Sequence, residues 1–388
     1  MSRCRRTFPG HAVIEGVYLT LMIGPVVPVP VPQTVLDALT SISVNVTAEP
    51  GRQSGFDLSF TLSQRSPLHT LFLLSGAVPI PLIRVVIIVT INGMPDVLMD
   101  GVITRQDVTT GEGGRAVLKV TGVDISEAMN LVDFTGVPYP ALPVEGRVAM
   151  ILTKYLAFGI LPVIVPTVLM DVSLPIDEIP QQDGKDLEYI QDLADEVGYV
   201  FYVVPGPVPL TNVAYFGPEV KVGIPQKALN LDMDAHTNVE SLSFSFDADK
   251  AKRPIAYIYN KLTKLSIPVP IPDINPLSPP LGLVPPKALN IEPLSSVVNK
   301  SMSGAIMRGM AEAARGSEAV SATGSLNVLR YGRPLKARGL VGVRGAGMAF
   351  DGLYFVKSVN HSLKRGEYKQ SFELTRNGLI STVPRVVA

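Results

Sequence analysis

Short runs of apolar and β-branched residues, broken by turn residues, fill the chain from residue 41 to residue 122. The breaks are a Glu-Pro-Gly sequence at 49–51, Asn-Gly at 92–93 and Gly-Glu-Gly-Gly at 111–114. Such runs are typical of strands joined by turns. The predicted strands cover residues 41–48, 55–62, 84–92, 97–108 and 116–122. Their number and close spacing predict an antiparallel barrel or sandwich.

Helical periodicity replaces this pattern after residue 123. Asp124 can cap a short helix that reaches Phe134, and apolar residues recur at helical spacing over 145–158. The same spacing over 185–197 predicts a helix that ends at Gly198 and leads into a strand over 199–204. A fourth helix is predicted over 304–314, and strand patterns return over 325–331, 340–344, 353–361 and 368–376.

Two Asp-Gly pairs lie in similar surroundings near opposite ends of the chain. In both Asp100-Gly101 and Asp351-Gly352, the aspartate is followed eight residues later by a valine, then by a turn and a strand. Asp-Gly is typical of tight turns, because glycine accepts a positive φ. The shared context predicts two related β modules, one near each end.

We therefore predict a mainly β fold, with two related antiparallel, tube-like β-barrel domains and a helix-containing α+β middle domain. Residues 1–40 are expected to form an N-terminal segment with a proline-rich apolar stretch. The first barrel should span 41–123, the middle domain 124–238 and the second barrel 239–380. The second barrel would carry a proline-rich insertion at 265–290 and the helix at 304–314, and residues 381–388 would be a tail.

Charge is sparse and unevenly distributed. The 388 residues include 34 Lys or Arg and 34 Asp or Glu, so the net charge is zero. Charged residues make up 18%, below the roughly 25% of a typical soluble domain. Because a neutral chain lacks the field that attracts nucleic acid, nucleic-acid binding is not expected as its main role. Residues 171–250 hold 4 basic and 15 acidic residues, whereas 251–388 hold 19 and 7, which predicts an acidic middle and a basic C-terminal part.

Four segments alternate proline with apolar residues, at 25–32, 77–82, 203–210 and 267–286. They can be stiff connecting loops, loops buried against a neighbouring subunit, or ligands of a proline-binding module. The charge-free stretch 16–36 is long enough to cross a membrane, but its four prolines oppose a continuous helix. Membrane association through these segments stays as an alternative function.

Side chains able to carry chemistry are few. Asp232, Asp234 and His236 are the best metal candidates, but further ligands are missing nearby, so we predict no metal site and no cofactor. An acidic cluster over 171–196 could supply the carboxylate pair of a peptidoglycan hydrolase. Several of its members alternate with the apolar stripe of a predicted helix, which favours a solvated face. The cluster is Asp171, Asp177, Glu178, Asp183, Asp186, Glu188, Asp192, Asp195 and Glu196.

A basic run near the C-terminus is the best candidate for an interface. Its members have little aromatic interleaving, so nucleic acid is a poor ligand for it. A docking face for an acidic neighbour and a solvated edge both remain open. The run consists of Arg330, Arg333, Lys336, Arg338 and Arg344.

Three stretches carry a family resemblance. The first is the strand after Asp100-Gly101 leading to a Gly-Val-Asp junction at 122–124; the second is Leu-Ala-Asp-Glu-Val-Gly at 193–198, running into an aromatic strand; the third covers 347–376. In order and spacing they resemble the baseplate hub family of contractile injection systems. This family includes phage hubs of the late control protein D type, extracellular injection system hubs and the N-terminal half of VgrG. The motif residues are Asp100, Gly101, Asp124, Leu193, Ala194, Glu196, Gly198, Phe201, Asp351, Gly352, Tyr354 and His361.

The resemblance implies a structural, non-enzymatic protein that forms a homotrimer. Each subunit would give two barrels to a ring of six, adapting a threefold spike to a sixfold inner tail tube. The implied partners are a separate spike protein, an inner tube or tube-initiator protein and baseplate wedge proteins. Assembly would take place in the cytoplasm, before incorporation into the baseplate of a phage tail or tail-like particle. Because the chain ends at Ala388, soon after the second barrel, the spike is expected to be a separate chain.

Overall fold

A computed structural model describes most of the chain. The described residues are 11–14, 16–25, 27–62, 66, 82–110, 115–167, 179–247, 252–260, 265–270, 279–285, 290–293, 302–316 and 318–383. The expected mainly β fold is confirmed, and the largest sheet has fourteen strands.

The first module is built around strand β6 (Ile83–Ile91), which is buried along almost its whole length. The Asn92-Gly93 turn leads from β6 into β7 (Met94–Thr110), which runs back beside it. Its sheet order is β2-β6-β7-β8-β5-β4, with every neighbouring pair antiparallel. The elements of this part are β1 (His11–Ile14), β2 (Val17–Pro25), β3 (Val29–Pro30), α1 (Gln33–Ala38), β4 (Leu39–Thr47), β5 (Gly55–Leu62), β6 (Ile83–Ile91), β7 (Met94–Thr110) and β8 (Ala116–Asp124).

The middle region packs helices on a small sheet and has a core of its own. A 3-10 helix, Ile125–Asn130, follows β8, and Asp124 caps it as expected. The two predicted helices after it each begin one residue from their predicted starts. The elements are α2 (Val144–Thr153), β9 (Ile160–Ile164), α3 (Asp186–Glu196), β10 (Val200–Pro205) and β11 (Asn212–Gly217).

The second module has the sheet order β12-β19-β20-β21-β18-β13. All its pairs are antiparallel except β12 with β19. A small sheet and a helix are inserted between β13 and β18. The elements are β12 (Gln226–Asn230), β13 (Ser241–Phe246), β14 (Lys252–Asn260), β15 (Leu265–Pro270), β16 (Gly282–Val284), β17 (Asn290–Pro293), α4 (Met302–Gly316), β18 (Val320–Asn327), α5 (Val328–Tyr331), β19 (Leu340–Arg344), β20 (Gly352–Lys364), β21 (Glu367–Arg376) and β22 (Leu379–Ser381).

The two modules repeat one connectivity. Numbered along the chain within each module, the six strands lie in the order 1-4-5-6-3-2 in both sheets. The modules join edge to edge, because β4 pairs antiparallel with the distal half of β20, from Ser41 opposite Lys364 to Thr47 opposite Ser358. One hydrophobic core runs through both modules. The chain therefore contains the same strand order twice in one continuous sheet, with one difference: β2 is antiparallel to β6, whereas β12 is parallel to β19.

The structure differs from the sequence expectations in four places. Part of the N-terminal segment 1–40 belongs to the first module, because β2 pairs along the whole of β6. Strand β12, expected in the middle domain, pairs with β19. Asp100-Gly101 lies within β7 rather than in a turn. The strand expected over 325–331 stops at Asn327, whose side chain accepts hydrogen bonds from two following amides and starts α5.

Candidate functional site: the junctions of the modules

A buried ion pair joins the first module to the middle region. Arg84 on β6 donates to both carboxylate oxygens of Asp100 on β7, with Nε–Oδ1 and Nη2–Oδ2 distances of 2.7 and 2.6 Å. Asn212 on β11 donates to the same carboxylate at 2.9 Å, and Arg84 also donates to the carbonyl of Leu210 at 3.2 Å. Both charged side chains are almost fully buried. A buried bidentate ion pair fixes the relative orientation of its two side chains, because burying either charge without the other is costly.

Asp124 closes the first module where the middle region begins. Its carboxylate accepts hydrogen bonds from the Ser54 amide at 2.8 Å and the Ser126 amide at 3.1 Å, and from the Ser126 hydroxyl. Burial raises the pKa of Asp124, while the hydrogen bonds from Ser126 and Ser54 oppose the shift. The neighbouring motif glycine, Gly101, lies opposite Asp124 across the β7–β8 ladder. Both motif residues are therefore parts of a packed junction.

The second motif forms the centre of the middle region. Leu193, Ala194 and Phe201 are buried in its core. Glu196, on the same helix, is half-buried. Gly198 follows α3 with a φ of 69°, and a Cβ at this position would lie 2.4 Å from the carbonyl oxygen of Met307 on α4. This stretch thus joins α3, β10 and α4.

The third motif organises the start of β20. The Asp351 carboxylate accepts a hydrogen bond from the Ala346 amide at 2.7 Å. Tyr354 is fully buried and donates to the Phe350 carbonyl at 2.7 Å, and the Arg376 guanidinium lies 4.5 Å from its ring centroid. Burial raises the pKa of Tyr354 to about 12. Gly352 adjoins β22, since a Cβ there would lie 2.4 Å from Ser381 Cβ.

His361 lies at the seam between the two modules. It faces the core and is paired across the ladder with Val44 of β4. Its Nδ1 is 2.8 Å from the Tyr368 hydroxyl and 3.2 Å from Gln370 Nε2. Burial lowers the pKa of His361 to about 3. The side chain is therefore a neutral, hydrogen-bonded core group.

The basic run does not form one surface. Arg330 and Arg333 are exposed, and Lys336 is exposed but pairs with Asp96 of the first module at 2.6 Å. Arg338 is half-buried, because its guanidinium packs 4.2 Å above the Tyr202 ring of the middle region, and burial lowers its pKa. Arg344 is half-buried and lines a pocket of about 690 Å³ beside Asp351. Only part of the run can meet a partner.

The acidic cluster is divided among different contacts. Asp186 is fully buried, where it accepts from Tyr155 and Gln182 at 2.7 Å and pairs with Lys154 at 2.6 Å. Asp195 pairs with Arg308 of α4 at 2.9 Å. The cluster members Asp171, Asp177 and Glu178 lie outside the described residues. The two best-defined carboxylates thus serve internal pairs.

The described parts of the chain hold neither a metal-binding cluster nor a membrane-spanning helix. No group of three His, Cys, Asp or Glu side chains there could hold a metal ion. None of the described helices is long and apolar enough to span a membrane. Of the proline-rich segments, most of 77–82 and the central part of 267–286 lie outside the described residues.

Sequence reasoning missed the partners that give these residues their roles. Arg84 is the single charge within the apolar strand β6. A lone charge in a buried run requires a counter-charge, so this signal could have linked it to Asp100. Asn212 carries no comparable signal, because it lies far along the chain and in another region of the fold.

Comparison with known proteins identifies the fold. The sequence matches no protein-family model and no curated protein. Among solved structures, a tail protein from Neisseria meningitidis MC58 aligns with a TM-score of 0.61 at 14% identity, covering 94% of this chain and 98% of that one. The 43 kDa tail protein of prophage MuSo2 from Shewanella oneidensis gives 0.57 at 15% identity, covering 94% and 99%. The E. coli c3393 protein, a type VI secretion component, gives 0.52 at 14% identity, covering 90% and 78%. The chain therefore has the fold of phage tail proteins.

Proposed function

We propose that this protein is the central hub of a phage baseplate or contractile injection system. It would act as a homotrimer that joins a threefold spike to a sixfold inner tube. The observation that carries the proposal is the repeated connectivity of the two modules, joined edge to edge through β4 and β20. One chain then supplies two similar units of a ring, and three chains supply six. The tail-protein fold supports the same role.

The proposed role is structural. The motif residues work by packing and by internal hydrogen bonds, as Asp100, Asp124 and Tyr354 do. Its partners would be a separate spike protein, an inner tube or tube-initiator protein, and wedge proteins. After assembly in the cytoplasm it would lie in the baseplate of the particle. Within the basic run, the exposed Arg330 and Arg333 would meet an acidic partner.

Light scattering and electron microscopy of the purified protein, alone and with its spike, test the proposal. We expect a particle of three times the 41.6 kDa chain mass, seen end-on as a ring with threefold symmetry and six similar lobes. A protein that stays monomeric under both conditions would contradict the hub role. Release of peptidoglycan fragments that disappears in Glu196→Gln, a change at a half-buried cluster member, would favour the hydrolase instead.

A further inference from the structure

Two sheet edges of the chain lack a neighbouring strand among the described residues. Strand β6 covers β7 only from Met94 to Val102, so the distal half of β7 pairs with β8 alone. Strand β13 is the last in the sheet and pairs only with β18. Unpaired edges of this kind are templates for another strand.

The chain itself shows what covers such an edge. Strand β20 occupies the same place in the second module as β7 does in the first. Its proximal part, from Gly352 to Phe355, pairs with β19, and its distal part, residues 358–364, takes β4. Strand β4 occupies the same place in the first module as β13 does in the second. The pair β20–β4 is thus complete within one chain, whereas in its equivalent, β7–β13, neither strand edge is covered by another of the described residues.

We propose that β13 of one copy of this chain pairs antiparallel with the distal half of β7 in the next copy, repeating the internal β4–β20 pairing. The contact is head-to-tail, so successive copies form a ring if the rotation between them closes and a filament if it does not. That the ring closes at three copies rests on the proposed hub function, but the strand pairing does not.

The register follows from a shared irregularity. The pairing register of β7 with β8 shifts between Ile103 and Arg105, where β7 has one extra residue. The register of β20 with β21 shifts in the same way between Val356 and Ser358. Aligning these shifts makes Arg105 equivalent to Ser358. Following the ladders through β8–β5–β4 and β21–β18–β13 makes residues 41–46 equivalent to 241–246.

Transferring the internal register to the contact between copies gives specific partners. Ser358 lies opposite Thr47 in the chain, so Arg105 is expected opposite Asp247 of the next copy. Counting along both strands in this register, we expect Asp107 opposite Ser245 of the next copy and Val108 opposite its Phe244. The Arg105 side chain is 73% exposed and pairs with Asp107 of its own strand at 2.9 Å. The register adds Asp247 of the next copy as a second acidic neighbour across the ladder.

Apolar exposure at these edges agrees with the register. Val108 is 65% exposed and Phe246 is 41% exposed, although both lie in strands. At the internal contact, the residues equivalent to Val108 and Phe244 are His361 and Val44, and both are buried. Covering β7 with β13 would bury the exposed apolar surface in the same way.

Disulfide trapping tests the register. In a Cys4→Ser background, Asp107→Cys with Ser245→Cys places two thiols opposite each other on the same face. Thr109→Cys with Asp247→Cys uses the same strands and the same face, but four residues out of register. We expect oxidised oligomers from the first pair on a non-reducing gel, at least tenfold more than from the control pair. Equal or absent cross-linking in both would overturn the proposal.

Charge reversal provides an independent test. Arg105→Glu and Asp247→Lys should each raise the dissociation constant of the assembly about fivefold, as expected for an exposed ion pair. The double variant should restore assembly, because the pair is rebuilt in the opposite sense. Arg105→Gln is the neutral control. Two additive losses without rescue would contradict the predicted pairing of these side chains.

The outcomes separate this proposal from the hub function. A trimer by light scattering that fails to cross-link through Asp107→Cys and Ser245→Cys overturns the strand pairing and leaves the hub intact. Cross-linked rings of another number support the pairing and contradict the trimeric hub. A protein that stays monomeric with its spike, and does not cross-link, overturns both.

Discussion

Single residues in this protein are strongly dependent on partners distant in sequence. Asp100 is satisfied by Arg84 and by Asn212, which is 112 residues away. His361 is held neutral between Tyr368 and Gln370 at the seam of the modules. Sequence motifs marked Asp100 and His361, but their energetic roles depend on neighbours that the motifs did not contain.

Removing Asp100 should destabilise the fold strongly. Asp100→Ala removes the carboxylate that pairs with the buried Arg84, and breaking a buried ion pair from one side typically costs about 3–5 kcal/mol. The double variant Arg84→Met with Asp100→Leu should lose much less, because neither charge remains buried. Denaturant unfolding of both measures the difference. Asp107→Asn, which breaks the exposed Arg105–Asp107 pair, is the control and should cost under about 1 kcal/mol. Equal losses in the single and double variants would contradict the uncompensated-charge explanation.

The protein should become less stable as the pH decreases, because His361 is buried in its neutral form. Its pKa is about 3 in the folded protein and 6.5 ordinarily, so the unfolded chain binds more protons between these values. The free energy of unfolding is therefore lost as pH falls below about 6.5, by up to about 1.4 kcal/mol per pH unit.

Comparing unfolding at pH 7 and pH 5 measures this effect. Wild-type protein should lose about 2 kcal/mol more between these pH values than His361→Gln, which cannot titrate. His236→Gln removes an exposed histidine instead and serves as the matched control. An identical pH dependence in wild type and His361→Gln would exclude His361 as the cause.

At the scale of elements, local patterns predicted much of what is observed. Strand β5 was predicted over 55–62 and occupies Gly55–Leu62. The helix predicted over 185–197 is Asp186–Glu196. These elements follow local periodicity, which a sequence displays directly. The expected 325–331 strand was wrong, because the cap formed by Asn327 competes with continued strand pairing.

Gly198 combines a turn conformation with close packing. It has a φ of 69°, and α4 approaches it closely through the Met307 carbonyl. Gly93 has a φ of 78° but no atom within 4 Å of its Cβ position. Gly93→Ala should therefore cost about 1 kcal/mol, from backbone strain alone.

Gly198→Ala should cost about 2–4 kcal/mol, because the clash with α4 adds to the backbone strain. Thermal or denaturant unfolding of the two variants measures the difference. Comparable losses would mean that α4 moves away without cost.

At the scale of the whole molecule, the middle of the sequence has an excess of acidic residues and the C-terminal part has an excess of basic residues. Residues 171–250 hold 15 of the 34 acidic side chains but 4 basic ones, and residues 251–388 hold 19 of the 34 basic side chains but 7 acidic ones. Several are used internally, as when Arg308 pairs with Asp195 and Lys336 with Asp96. Part of the charge is therefore paired within the chain, and fewer basic side chains are left for partners.

Salt should weaken docking if that remaining surface meets an acidic partner. We expect Arg330→Glu with Arg333→Glu to reduce binding to such a partner several-fold at about 0.05 M salt, and the difference to shrink at about 0.5 M, where exposed charges are screened. Sedimentation or pull-down with the purified partner measures it. Arg115→Glu, an exposed arginine of the first module, is the control. Binding that is unaffected by both salt and substitution would indicate apolar docking.

The sequence by itself determined the class of the fold. Alternating strands, helix stops at glycine and the two Asp-Gly contexts each depend on neighbours a few residues apart, and they predicted two β modules around a helical region. Tertiary structure alone decided how the modules join. The β4–β20 pairing connects residues more than 300 positions apart, and β12 joins β19 across more than 100. Strand partners at such distances are chosen by edge geometry and shared core packing, which no local pattern encodes.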